Sequence, residues 1–251
     1  MVDQSRFKYT TIAHGLHRYC SPLSAIKASR LLEAMDLAEG ALVLDAGCGK
    51  AALLQELLAR KPVRGLGLDI NQAFLDAGRE AWNALHPGDS RLVLAYESVE
   101  THVPLDGGYD AILCLGASQS FGGNLACLEK SRSWLKERGR LLLGEGYWKR
   151  EPADAYLSAL GATRDEMGSH AENAARAVEF GFNVLLTSTS SDDEWDAYEG
   201  LYCRAMVEYV RAHPDDPDAA AFAQRAQDWH RTYLLWGRET LGFGFYLLAR
   251  R

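Results

Sequence analysis

Asp45, Gly47, Gly49 and Asp69 are the residues of this 251-residue chain whose types and spacing could do chemistry. Glycines at alternate positions let a backbone turn adopt angles that side chains forbid, so the chain can close on a charged ligand. An acid standing before such a turn repels a pyrophosphate and suits a ligand that carries an ammonium and a sulfonium. A dinucleotide fingerprint counted from Gly47 wants a third glycine at 52, where this sequence has Ala52. Asp69 lies about twenty residues further on, the distance at which nucleotide folds place a ribose-binding carboxylate. The alternative for Asp69 is a cap on the helix that begins near Gln72.

Regular elements must position these residues. Ala41-Leu42-Val43-Leu44 is a continuous apolar run, and Ala51 to Leu58 has helical periodicity, so the turn joins a buried strand to a helix. Strands are expected near 42–46, 64–69, 91–95, 110–116 and 140–144, with helices near 51–60, 72–85 and 124–136. This alternation implies a parallel α/β sheet with right-handed crossovers. Residues 1–40 read as an N-terminal helical arm, 41–190 as a Rossmann-like ligand-binding core, 191–241 as an inserted helical hairpin and 242–251 as a final strand of the core. The hairpin breaks at His213-Pro214-Asp215-Asp216-Pro217. Its stripes Trp195, Tyr198, Tyr202, Met206, Tyr209 and Phe222, Ala226, Trp229, Tyr233, Trp236 read first as aromatic glue that docks the hairpin on the sheet domain and second as part of a substrate pocket.

A net charge of −7 argues against a nucleic-acid partner, whose phosphates need a basic face. Five cysteines without paired CxxC spacing point to free thiols in a reducing compartment and against structural zinc. Neither an export signal at residues 1–11 nor a stretch long enough to span a membrane is read. The expectation is a cytoplasmic monomer or homodimer with a small-molecule substrate.

Asp45, Gly47 and Gly49 resemble motif I of the class I S-adenosylmethionine-dependent methyltransferases, Asp-x-Gly-x-Gly-x-Gly, with Ala51 in place of the third glycine. Several stretches resemble more specifically a group of small bacterial YjhP-like proteins: His17 to Pro22, Cys114 to Ser118, Gly144 to Trp148, Trp195 to Glu199 and Pro214 to Asp218. Gly146 and Gln119 depart from that group, where proline and tryptophan are expected. The resemblance implies a seven-strand sheet, mostly parallel, whose last strand is antiparallel, and S-adenosyl-L-methionine as cofactor.

It further implies roles. Asp45, Gly47, Cys48 and Gly49 would hold the methionine end, Asp69 the ribose hydroxyls, and Ile70, Glu97, Ser98 and Val99 the adenine, while Leu115 and Gly116 would lie beside the transferable methyl. Tyr19, Ser118, Gln119, Tyr147, Trp148, Trp195 and Tyr198 are candidate substrate contacts. Glu145, His14 and His17 are candidate bases, each with a packing role as the alternative. No Asn/Asp-Pro-Pro-Tyr motif and no acidic pair follow the fourth strand, so neither base methylation nor a metal is expected. The functional expectation is in-line methyl transfer to a small molecule, with arm and hairpin acting as a lid. A non-catalytic cofactor-binding protein and a nicotinamide-dependent oxidoreductase are the rivals.

Overall fold

A computed structural model describes residues 7–251. Seven strands form one sheet in the order β3-β2-β1-β4-β5-β7-β6: β1 Leu42–Ala46, β2 Arg64–Asp69, β3 Leu92–Tyr96, β4 Tyr109–Leu115, β5 Leu135–Trp148, β6 Phe182–Thr189 and β7 Leu241–Arg250. The pairs β1–β2, β1–β4, β2–β3 and β4–β5 are parallel, and β6 runs antiparallel to β7. The expected mostly parallel sheet with one reversed strand is therefore present.

β1 forms where the sequence is apolar on both faces. Val43, Leu44 and Ala46 are fully buried, as expected of a parallel strand covered by helices on both sides. Each buried leucine side chain contributes about 1.5–3 kcal/mol of transfer free energy. The main core joins Leu44 and Ala46 to Ile112 and Cys114 of β4, Leu141 and Leu143 of β5, and Tyr246 and Leu248 of β7. Helices α3 Ala52–Arg60, α4 Gln72–Leu85 and α5 Asn124–Trp134 follow β1, β2 and the β4 loop. They start and stop close to the expected positions. Helices α1 Lys8–Ala13 and α6 Asp154–Leu160 were not anticipated, because each is too short to show a repeating apolar face; α2 is Ala25–Ala34 and α7 His170–Glu179.

Strand β5 departs from expectation. It begins at Leu135 instead of 140 and continues through Trp148, with the pairing to β4 jumping from Tyr109↔Leu135 to Ala111↔Arg140. The charged stretch Lys136-Glu137-Arg138-Gly139 is accommodated as a bulge with Arg138 at φ 59°. Gly144 to Trp148 consequently lie within the strand and not after it.

The residues divide into two compact units. One comprises 24–145, 171–189 and 244–251, and holds most of the sheet; the other comprises residues 7–23 together with 146–170 and 190–243. Helix α2 thus joins the sheet unit, where the sequence reading had placed it with the arm. In the second unit, helices α8 Asp192–Ala212 and α9 Ala219–Thr232 pack against each other, and α1 packs on α8. Ser191 and Glu194 close a reciprocal capping box at the start of α8. Tyr9, Ala13, Met206 and Ala226 make this unit's own core, with Phe222 and Tyr202 against it. Tyr202 and Trp229 of the two stripes meet each other, and Tyr202 and Phe222 meet Tyr9 of α1 edge-on. Helix α9 ends at Thr232, and Tyr233–Gly237 follows as a wider turn. Among the described residues, no helix is long and apolar enough to cross a membrane.

Candidate functional site

The carboxyl ends of β1, β2 and β4 bring the first group of expected residues together within the sheet unit. Asp45 is the fourth residue of β1, in register with Gly67 of β2 and Leu113 of β4. It is 6% exposed and accepts no hydrogen bond from the described residues. Burial, and secondarily the nearby Asp69 carboxylate, push its carboxyl up to about 8. A buried acid without a counter-charge is costly, so this position fits a ligand that brings a cation.

The turn after β1 is shaped by its own backbone bonds. The N–H groups of Gly47 and Cys48 both donate to the Leu68 carbonyl at 2.9 Å, which anchors the turn to β2. Gly47 has φ +72°, and a Cβ there would stand 2.5 Å from Ala117 Cβ. That closeness explains the glycine beyond its backbone angle. With its N–H spent, Gly47 offers a ligand its carbonyl, a group that suits an ammonium. Ala51 is the unexpected member of this turn. It takes a left-handed conformation, φ 55° and ψ 24°, as the N-cap of α3. The missing third glycine of the motif is therefore a backbone departure, costing about 1–2 kcal/mol, and not merely a change of size.

Asp69 ends β2. Its Oδ2 accepts from Gly49 N at 2.8 Å and its Oδ1 from Asn71 N at 2.7 Å. The carboxylate thus ties the glycine turn to the start of α4. Burial raises its carboxyl, partly offset by these backbone bonds. The cap of α4 is Asn71, whose side chain accepts from Phe74 N, so the capping alternative for Asp69 falls to its neighbour. Ile70 lies between the two, half-buried.

At the end of β3 the structure rearranges the expected adenine residues. Glu97 Oε1 is 2.8 Å from His102 Nδ1, and His102 Nε2 is 2.8 Å from the hydroxyl of fully buried Tyr109. His102 carries no signal in the sequence, because contacts 5 and 7 residues away along the chain follow no regular period. Ser98 accepts from Glu100 N, and Val99 is part of the core, only 3% exposed. Both shape the loop.

β4 ends at Leu115, and Gly116, φ +66°, donates its N–H to Gly144 of β5 at 2.9 Å. Ser118 and Gln119 begin a short 3₁₀ turn through Phe121, with Ser118 only 3% exposed. Glu145, on β5 beside Gly116, accepts from Asn124 Nδ2 at 3.0 Å. Asn124, at the start of α5, is a holding residue that the sequence reading missed. Both Glu145 and Asp45 act on the buried Cys114 thiol and raise it, after the larger effects of Cys127 and burial.

The remaining expected residues belong to the second unit. His14 Nε2 lies 3.0 Å from the Tyr198 hydroxyl while its Nδ1 faces the Thr10 carbonyl, and His17 Nε2 lies 2.8 Å from the Tyr198 carbonyl. The two imidazoles therefore brace α1 and its following turn against α8. Trp195 packs edge-on against Tyr198 and stacks on Tyr233. Tyr19 is buried, Tyr147 packs on His170, and Trp148 donates its ring N–H to the Arg164 carbonyl. Among the described residues no group of three His, Cys, Asp or Glu side chains is placed to hold a metal ion.

Comparison with known proteins bears on this geometry. The methyltransferase domain family Methyltransf_12 matches residues 44–141, which span β1 to β5 and all of the sheet-unit site up to Leu141. The uncharacterized protein YjhP of Escherichia coli (strain K12) is 25% identical over 244 residues, covering 96% of this chain and 97% of that one. A SAM-dependent methyltransferase from Geobacter sulfurreducens, solved with S-adenosyl-L-homocysteine, superposes with a TM-score of 0.91 at 26% identity, over 97% of this chain and 98% of that one. One from Thiobacillus denitrificans, solved with the same molecule, gives 0.90 at 26% over the same shares.

Proposed function

We propose that this chain, similar along its length to YjhP and to the Geobacter and Thiobacillus proteins, is a class I S-adenosylmethionine-dependent methyltransferase that methylates a small-molecule acceptor. The buried, uncompensated carboxylate of Asp45 facing Asp69 across the glycine turn supports this reading most. Two acids at a turn disfavour the pyrophosphate of a nicotinamide dinucleotide and favour a ligand with an amino-acid ammonium at one end and a ribose at the other.

Bound S-adenosylmethionine supplies a methyl group on a positively charged sulfur, which an acceptor lone pair displaces in line. The chain's own residues do the rest. Asp45 and the Gly47 carbonyl would answer its ammonium, Asp69 would accept from its ribose hydroxyls, and Ile70 would pack on its adenine. Leu115 and the small residues Gly116 and Ala117 let the backbone come close to the reacting carbon. Since the electrophile arrives activated, alignment and exclusion of water carry most of the rate.

Glu145 is the residue we assign to the acceptor's proton. It stands in the last third of β5 beside Gly116, and Asn124 Nδ2 donates to its Oε2 at 3.0 Å. Glu145→Gln is expected to keep S-adenosylhomocysteine affinity within about twofold and to lower turnover by about a hundredfold, the usual scale of general-base loss. The deficit should narrow at low pH, where the wild-type carboxyl is itself protonated and neither protein has the base. Normal turnover in a variant that binds cofactor and acceptor normally would leave Glu145 a structural ligand of Asn124. The function itself is tested by asking whether the methyl group reaches molecules of metabolite size or macromolecules.

A further inference from the structure

We propose that the unit containing α8 and α9 binds a small organic ammonium ion, with Glu199 as its counter-charge and the surrounding rings as its walls. Glu199 is 2% exposed and lies on α8 between Trp195 and Tyr202. Its Oε2 accepts from Trp229 Nε1 at 2.7 Å, a bond that favours the ionised acid. No cation among the described residues pairs with it. Its neighbour Asp196 shows the contrast: Arg238 donates to both of its oxygens at 3.0–3.2 Å, and Tyr233 adds a third donor. Arg225, on α9, stacks over Tyr9 with its guanidinium carbon 3.9 Å from the ring centre.

One of two acids on the same turn of helix thus has its partner built in, and the other does not. A buried lone carboxylate is retained at a cost of several kcal/mol unless its partner arrives with a ligand. Burial pushes Glu199 up to about 7, the response of an acid lacking that partner. The walls select for positive charge. Tyr202 and Trp229 have ring centres 6.4 Å apart, Trp195 and Tyr233 are stacked at 6.3 Å, and Tyr198 meets Trp195 edge-on at 6.0 Å. Aromatic faces attract ammonium groups and repel anions. Tyr198, Tyr202 and Trp229 are only half-buried, which gives a ligand a way in. Trp195 Nε1 is buried without a hydrogen-bond partner among the described residues. It would answer an oxygen carried by the ligand, so an amino alcohol or amino acid fits better than a bare amine.

On the methyltransferase reading, on which this naming of the natural ligand rests, that ligand is an amine acceptor or its N-methylated product. Binding can be measured without methyl transfer, so the two readings fail separately. Choline and its uncharged isostere 3,3-dimethylbutan-1-ol are titrated against the full chain, following tryptophan fluorescence, since Trp195 and Trp229 report directly. Choline is expected to change the emission saturably and to bind at least about tenfold more tightly than the isostere. Glu199→Gln should erase that preference while S-adenosylhomocysteine still binds. Equal affinities for the two compounds in the wild-type protein, no saturable response to choline, or an undiminished preference in folded Glu199→Gln would each overturn the proposal. If choline binds as expected and no amine is ever methylated, the cation site stands and the methyltransferase substrate lies elsewhere.

Discussion

Asp69→Ala is expected to weaken S-adenosylhomocysteine binding by about a hundredfold or more. Two hydrogen bonds from ribose hydroxyls to a charged acceptor are worth roughly 1.5–3 kcal/mol each, and a loss of about 3 kcal/mol is more than two decades in affinity. The structure adds a second reason. The same carboxylate fixes the glycine turn through Gly49 N and the start of α4 through Asn71 N, so its removal also loosens the surface that would meet the ligand. Asp69→Asn retains one carbonyl oxygen and should lie between the two. Calorimetric titration, with urea unfolding to show that the variants are folded, measures both effects. Wild-type affinity in folded Asp69→Ala would reduce this residue to a clamp on the turn.

The second large effect is a dependence on pH that originates at Asp45. Its carboxyl is raised from an ordinary 3.8 to about 8 by burial first and by Asp69 second. The folded, ligand-free protein therefore holds a proton that the unfolded chain releases. That contribution to stability is complete below about pH 4 and is lost as pH rises through about 8. Binding runs the other way. A ligand ammonium needs the ionised acid, so affinity for S-adenosylhomocysteine should climb between pH 6 and 8, by at most about tenfold per unit. Asp45→Asn imitates the protonated form. It should flatten both profiles and cost about 3 kcal/mol of binding at pH 8, more than a hundredfold. A wild-type affinity independent of pH over this range would remove Asp45 from the ammonium site.

The sequence was most legible where local pattern and fold coincide. The apolar run at 41–44, the glycines at 47 and 49 and the periodicity of 51–58 identify a strand, a turn and a helix from residues within twenty positions of one another. The structure keeps all three. What escaped depends on distant partners or on backbone angles that residue type does not announce. Ala51 is left-handed although alanine is an ordinary helix former. Glu97 is bound by His102, and through it to Tyr109, by contacts that only the folded loop creates. Strand β5 is longer than expected because three charged residues and a glycine at 136–139 look like a loop, yet the strand passes through them as a bulge. Glu199 was hidden in the stripe of aromatic residues that the helical period made visible. An acid at a stripe position, between Trp195 and Tyr202, was its one signal.

Methyl transfer to a small molecule is the centre of this account, and labelled transfer tests it most directly. The protein is incubated with S-adenosylmethionine carrying a trideuterated methyl group and with a cell extract that retains both metabolites and macromolecules. Mass spectrometry then locates the label. Trideuteromethyl groups are expected on one or a few metabolites, dependent on Asp69 and reduced by Glu145→Gln. Label confined to protein or RNA, or consumption of the cofactor without any labelled metabolite, would contradict it.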